Sequence, residues 1–329
     1  MSTRHNLSIV IPTYNRANFL DILLEKHINI FRQCDIPVFI YNNASTDDTD
    51  LVINKWKREY HLITSKTNTG DVLITDESIE TALKLSNTKY RWLLGDAYYL
   101  SSKLVRHVSG IISQGKDVDL YILNLNNIIK DIPSSICRNN NQLLSNFSTI
   151  MACVSCQIYH EKIINSDNFN KYKGSSYLQL GITLEYASGK NFCANWVQNF
   201  SVTSLKNKSL EKKNWSTGKS VLKVGAKKWT EFIFSLPESY STTAKLIAIK
   251  NFGKQTKIFT IQGLMLMRVR GNLNYASYKQ HSKEIALMVD YPFVVIIISI
   301  IPISLLKTAC IIFTGLFKRD KIKQWCFNE

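Results

Sequence analysis

Two stretches near the N-terminus carry residue types that can build a nucleotide site: Leu7-Ser-Ile-Val-Ile-Pro-Thr-Tyr-Asn-Arg16 and Val38-Phe-Ile-Tyr-Asn-Asn-Ala-Ser-Thr-Asp-Asp-Thr49. In each, an apolar β-branched run breaks into small polar residues. A buried parallel strand reads this way when it delivers a loop to the carboxyl edge of a sheet. Ligands of open α/β sheets bind at that edge. The two runs lie about 30 residues apart with a helix-like segment between them, the length of one strand-helix-strand unit.

The elements that must position these loops alternate along the first hundred residues. After strand Leu7–Ile11, the segment Arg16–Phe31 places Phe19, Ile22, Leu23, Ile30 and Phe31 near helical spacing. Strand Pro37–Tyr41 follows, and Thr46 or Asp47 is the expected N-cap of a helix reaching Tyr60, with Leu51, Val52 and Trp56 turned inward. Leu62–Ser65 reads as a third strand leading to the loop Asn68–Asp71, and a helix from Asp76 to Leu85 precedes strand Tyr90–Leu94, which ends at Gly95 and Asp96. Such alternation predicts a mostly parallel sheet with helices on both faces. An amphipathic helix over Ser101–Gly115 and a strand over Leu120–Leu125 continue it. The Asn-rich stretch Asn124–Asn146 is expected to be a loop or irregular insert, Ser175–Ala187 a helix, and Ser241–Val269 helical. The domains expected are a nucleotide-binding half over residues 1–125, an acceptor half over 126–285, and a hydrophobic segment with a basic tail over 286–329.

Composition narrows the class. With 329 residues, 45% hydrophobic and 20% charged, the chain can bury a sizeable core and is not a disordered polymer. The net charge of +16 comes without a zinc-finger, RNP or helix-turn-helix signature, so an anionic membrane surface or a phosphate-bearing substrate accounts for it better than nucleic acid. Seven scattered cysteines, among them the Cys153-x-x-Cys156 pair, lack the second pair or His cluster of a zinc site. They read as buried thiols, and with no apolar signal region in Met1–Leu7 the expected compartment is the cytosol. Phe293–Leu306 is an uncharged run, shorter than the ~20 residues of a membrane span. Continued through Lys307 to Phe317 it is long enough to span with tilt, yet Pro292 and Pro302 argue for a broken or re-entrant element. A buried core helix is the alternative. Flanking Lys and Arg with Trp325 favour a segment in or on a bilayer.

Four motifs in order, Ser8-Ile-Val-Ile-Pro-Thr-Tyr-Asn-Arg16, Asn42-Asn-Ala-Ser-Thr-Asp-Asp-Thr49, Asn68-x-Gly70 and Trp92-Leu-Leu-Gly-Asp96, resemble the family 2 glycosyltransferases of GT-A fold. The likeness covers roughly residues 5–125 and is strongest to the bacterial surface-polysaccharide, abequosyltransferase-like branch. It implies an α/β, Rossmann-like sheet and transfer of a sugar from a nucleotide-sugar to a glycan or polyisoprenoid-linked acceptor. On this resemblance Pro12, Thr13, Tyr14, Asn15, Asn42, Asn43, Asn68, Gly70 and Asp71 hold the nucleotide. Asn42 stands where the family commonly has Asp; an amide both donates and accepts, so it suits uracil and equally N3 of cytosine. Both asparagines satisfying a turn is the other reading.

Asp96 occupies the start of the family's acidic motif, whose carboxylates hold Mg²⁺ or Mn²⁺ against the diphosphate. Here Ala97 and Tyr98 replace the acidic residues expected next, so a lysine or arginine is the alternative source of positive charge. An inverting transfer also needs a base for the acceptor hydroxyl. In the counterpart segment Gly174–Glu185, Gln179 stands where an acid is expected and Glu185 is the nearest carboxylate. The basic stretch Lys206–Lys228 and the hydrophobic C-terminal part together suggest work at the cytoplasmic face of the inner membrane, on a lipid-linked surface glycan such as capsule or O-antigen. The competing reading is a degenerate member of this fold acting as a membrane scaffold for glycan assembly.

Overall fold

The N-terminal apolar run forms strand β1 (Leu7–Thr13), with Ile9, Val10 and Ile11 fully buried. The computed structural model describes residues 5–189, 191–205 and 218–308. Helix α1 (Ala17–Gln33) follows because Leu20, Leu23, Leu24, Ile28 and Phe31 recur at helical spacing and bury one face. Each such side chain withdrawn from water contributes about 1.5–3 kcal/mol. Then come β2 (Val38–Asn42), α2 (Thr49–Glu59), β3 (Ile63–Thr67), α3 (Thr75–Leu85), β4 (Tyr90–Leu93), the short β5 (Tyr98–Tyr99), α4 (Ser102–Ser113) and β6 (Leu120–Leu125). Ser101 caps α4 by accepting the Leu104 N–H. The chain continues through β7 (Ser135–Cys137), α5 (Asn140–Met151), β8 (Gln157–His160), α6 (Glu161–Ile164), α7 (Phe169–Tyr172), α8 (Leu178–Ser188) and β9 (Ala194–Ser204).

These strands make one sheet in the order β3-β2-β1-β4-β8-β6-β9-β5, with β7 paired to β9. β3, β2, β1 and β4 are parallel, β8 lies antiparallel between β4 and β6, and β9 runs parallel to β6. The sheet therefore continues past residue 125. Its core joins Ile9, Ile11, Val38, Ile40 and Trp92 to the inner faces of α1 and α4. The stretch expected as an irregular insert holds the start of α5, a helix in which Leu143, Leu144, Phe147, Ile150 and Met151 are buried. Its Asn-rich exposed side masked that apolar stripe.

The chain divides into two units, Met1–Lys212 with Leu236–Tyr240, and Lys213–Ser235 with Ser241–Glu329. The second is helical, with Trp229 stacked on Phe252 at 4.2 Å between ring centroids. The helical pattern expected over Ser241–Val269 appears as Thr242–Gln255, capped by Ser241, and Ile261–Val269, capped by Thr260. The C-terminal run folds as helix Pro292–Ile300, with Pro at its first turn, and Pro302 separates it from a helical stretch at 303–308. Among the described residues no helix is long and apolar enough to cross a membrane. Most of Lys206–Lys228 and the tail with Trp325 lie outside the described residues.

Candidate active site

Strand pairing brings the predicted loops to one edge. Thr13 is the register partner of Asn42, and Asn42 of Thr67, so the loops after β1, β2 and β3 leave the sheet side by side. On the other flank of β1, Val10 pairs with Leu93, and the Leu94 N–H still donates to the Val10 carbonyl at 2.8 Å. That direction carries the chain to Asp96, whose Oδ2 lies 2.6 Å from Arg16 Nε just beyond β1. The site thus straddles β1, where neighbouring strands lead off to opposite sides, the position at which doubly wound sheets open a ligand crevice.

Cross-ties fix the first two loops. Asn15 adopts a left-handed conformation (φ 49°), which asparagine tolerates better than most residues. Its N–H donates to Ser45 Oγ at 2.8 Å, and its Oδ1 accepts the Thr46 N–H at 2.7 Å. Asp47 Oδ2 accepts the Ala17 N–H at the start of α1 at 3.0 Å, and its Oδ1 accepts from the Thr49 N–H and hydroxyl. Partial burial pulls the Asp47 carboxyl upward, but these donors outweigh it and hold the group below its ordinary range. Tyr14 is exposed beside this corner, Pro12 is half-buried, and Thr13 is buried with no hydrogen-bond partner for its hydroxyl among the described residues.

The asparagines are used differently from one another. Asn42 is 0% exposed; its amide donates to Asp50 Oδ1 at 2.8 Å and accepts the Ser45 N–H at 3.1 Å. A fully buried amide offers no edge to a base, so Asn42 builds the turn. Asn43 grips the backbone of Leu73, donating to its carbonyl at 2.9 Å and accepting its N–H at 3.0 Å. Asn68 accepts the Gly70 N–H at 3.1 Å and donates to the Asp71 carbonyl at 2.7 Å, closing the third loop on itself. Gly70 and the Asp71 side chain stand exposed on that loop.

The Asp96 turn is held from below. Gly95 N–H donates to Ser155 Oγ at 3.0 Å, and Trp92 Nε1 to the Ser155 carbonyl at 2.9 Å. A Cβ on Gly95 would stand 3.0 Å from Val154 Cγ2 and 3.1 Å from Tyr98 Cδ2, so any larger residue would make these two side chains give way by a few tenths of an ångström. Tyr98 packs inward, where the Cys153 thiol, burial and then Asp96 all push its phenol pKa upward. His27, on the apolar face of α1, accepts the Leu100 N–H at 2.9 Å through Nε2 and pairs Nδ1 with the Leu23 carbonyl at 2.6 Å. Burial lowers its pKa to about 4, so it is a neutral strut behind the turn. Sequence reading passed over His27 and over the Arg16–Asp96 pair. The signal for His27 was its place in the α1 apolar stripe.

The sequence model of the family described as Glycosyl transferase family 2 matches residues 8–120, the span that holds these loops and the Asp96 turn. Over residues 8–120 this protein is similar to the family 2 glycosyltransferases. The chain is also similar to abequosyltransferase RfbV of Salmonella typhimurium, 33% identical over 90 residues. That match covers 27% of this chain and 27% of the relative, about a quarter of each. Among solved structures, S. aureus TarS 1-349 aligns with TM-score 0.54 at 13% identity over 88% of this chain and 90% of its own. The mannosyltransferase PcManGT from Pyrobaculum calidifontis, solved with GDP-Man and Mn²⁺, aligns with TM-score 0.54 at 12% identity, covering 97% and 89%. At such identities the likeness shows the fold alone, and that fold is GT-A.

The crevice is poor in the donors of a cation site. Among the described residues no three His, Cys, Asp or Glu side chains gather in one place. Ala97 is buried, Tyr98 packs on Gly95, and Asp96 Oδ2 is engaged by Arg16. A nucleotide-bound divalent cation takes one or two protein carboxylates beside phosphate and water oxygens; here this turn offers it one, and Oδ2 of that one already lies against Arg16.

Glu185 is engaged by neighbours of its own. Its Oε2 accepts from Lys171 Nζ at 2.7 Å and from the Tyr172 hydroxyl, tying α7 to α8. Gln179, roughly 9 Å up the same helix by its rise per residue, is the residue of α8 that reaches the segment under Asp96. Its Nε2 donates to the Ala152 carbonyl at 2.8 Å. A second link from that region joins Asp76 of α3 to the Ser176 N–H at 3.1 Å.

Proposed function

We propose that this protein transfers one sugar from a nucleotide-sugar to a growing, lipid-linked surface glycan of the capsule or O-antigen kind, at the cytoplasmic face of the inner membrane. The observation that carries the reading is the gathering of the three loops and the Asp96 turn at the carboxyl edge of β1–β4, inside the matched domain. In the transfer, the acceptor hydroxyl oxygen forms its bond to the anomeric carbon from the face opposite the leaving group. The carbon–oxygen bond to the diphosphate breaks, and its electron pair leaves on the nucleoside diphosphate. The hydroxyl proton passes to a base, the part given to Glu185, which serves it only when its pair with Lys171 opens. Asn43, Asn68 and the Pro12–Asn15 loop frame the nucleoside, with Tyr14, Gly70 and Asp71 exposed toward it.

The membrane side of the proposal draws on helix Pro292–Ile300. Phe293, Ile297 and Ile300 are 60%, 50% and 58% exposed along one face, while Val295, Ile298 and Ser299 are buried on the other. An apolar face of this length suits insertion among lipid headgroups, and the net charge of +16 favours an anionic surface. Donor hydrolysis by the purified chain across UDP-, GDP-, CDP- and TDP-sugars tests the activity. One donor should turn over, and Asp96→Ala should lower the rate by roughly 100-fold or more. Absence of turnover and of nucleotide binding in calorimetry would favour the scaffold reading, which the loss of acids at Ala97 and Tyr98 supports. Co-sedimentation with anionic vesicles, weakened by Phe293→Glu with Ile297→Glu, tests the membrane face.

A further inference from the structure

We infer that Arg16, steered by Asp96, stands in for the divalent cation at the donor diphosphate, so that this protein binds and uses its donor without metal. The inference rests on the transfer reading above and deepens it. Three observations carry it. The acidic motif retains one carboxylate, and its Oδ2 lies 2.6 Å from Arg16 Nε, with the two side chains 29% (Arg16) and 12% (Asp96) exposed. Arg16 is thus part-exposed, while Asp96 beside it is buried. The guanidinium carbon also lies 3.8 Å over the Phe19 ring, so an aromatic face and the adjacent carboxylate charge hold the group in place.

The root of the side chain is held just as firmly. Asn15, immediately before it, is tied to Ser45 and Thr46, and Ala17, immediately after it, donates to Asp47. Among the described residues neither Nη group of Arg16 makes a hydrogen bond, so the guanidinium keeps N–H donors for a ligand. A guanidinium fork matches two phosphate oxygens at once. As the bond from the anomeric carbon to the diphosphate breaks, the diphosphate gains the electron pair and one more negative charge. A fixed cation placed where that charge develops stabilises the departure, the same service a metal performs. One carboxylate oxygen cannot be given fully to both cations. Asp96 in this chain is a positioning residue for Arg16, and the exchange of acids for Ala97 and Tyr98 is what leaves the place to it.

Calorimetric titration of the full chain with UDP, GDP, CDP and TDP in turn, once in EDTA and once in excess Mn²⁺, tests this. The preferred nucleotide should bind in EDTA with a Kd within about 3-fold of that in Mn²⁺. Arg16→Gln should weaken metal-free binding by roughly 10- to 100-fold, the range lost with charge-assisted bonds to phosphate. Arg16→Lys, a point charge without the fork, should recover only part of it. Asp96→Asn, which keeps the shape and removes the steering charge, should weaken binding less than Arg16→Gln. Should the glutamine variant fail to fold by its thermal melt, the lysine variant decides, and wild-type affinity in EDTA for that variant would overturn the role of the fork. Binding that appears only with Mn²⁺, or an Arg16→Gln protein as tight as wild type in EDTA, overturns the inference and leaves the transfer reading standing. Binding of no nucleotide under either condition removes both.

Discussion

Replacing His27 by glutamine should flatten the acid limb of this protein's stability curve. The ring is fully buried between α1 and the chain after Asp96, and Nε2 must stay unprotonated to accept the Leu100 N–H. Burial, the largest influence, lowers its pKa from 6.5 to about 4, against the opposing bond to the Leu23 carbonyl. The sign follows from proton counting. Between those values the unfolded chain binds a proton at this histidine and the folded chain does not, so stability is full above pH 6.5 and falls as pH drops toward 4. Each unit of difference corresponds to about 1.4 kcal/mol, so the loss over the whole window is on the order of 3 kcal/mol, about 2 of it between pH 7 and pH 5. Urea unfolding of wild type and His27→Gln at half-unit steps from pH 7 to pH 4 measures it. A glutamine oxygen can take the Leu100 N–H at every pH, so the two curves should converge toward acid as wild type loses its advantage. Parallel curves would mean that His27 is not kept neutral and that the strut behind the turn has been misread.

Three substitutions probe the loops and helix α8. Ala44 sits in the left-handed region at φ 57°, so Ala44→Gly should raise stability by about 1 kcal/mol in denaturant unfolding. Asn43→Ala removes both bonds to Leu73 and should cost roughly 1–3 kcal/mol, with amide exchange at Leu73 and Asn68 accelerated first. A Cβ on Gly181 would stand 2.3 Å from Tyr172 Cγ, and Glu185 holds that ring by its hydroxyl. Gly181→Ala should therefore lower Tm by roughly 4–8 °C despite the better helix propensity of alanine, and an unchanged Tm would show that α7 can move aside.

The first four strands were legible because a buried parallel strand is apolar along its whole length and ends abruptly in polar residues. Their loops were legible for the same reason. What each polar side chain does within a loop was not. Asn42 and Asn43 are adjacent and chemically identical, yet one is sealed under Asp50 and Ser45 while the other grips Leu73. That difference depends on where β3 and its loop arrive, 25 or more residues later in the chain. The Arg16–Asp96 pair needed the β1–β4 register, a relation across 80 residues that no local pattern encodes. Helix α5 went unseen because its exposed face is rich in asparagine and serine, and the apolar residues beneath begin only at Leu143. Glu185 was chosen as the nearest carboxylate in sequence; the helix turns it toward Lys171 and Tyr172 instead.

The bonds joining Asn15 to Ser45 and Thr46, and Asp47 to Ala17, have a thermodynamic consequence for whatever the crevice holds. Two loops from different strands are already ordered against each other when the chain folds, so their conformational entropy is lost then and not again on association. A ligand meets walls at fixed spacing, and its affinity reflects fit more than the ordering of the protein. Such a site discriminates sharply between molecules of slightly different outline, and it has little capacity to reshape itself around a new one.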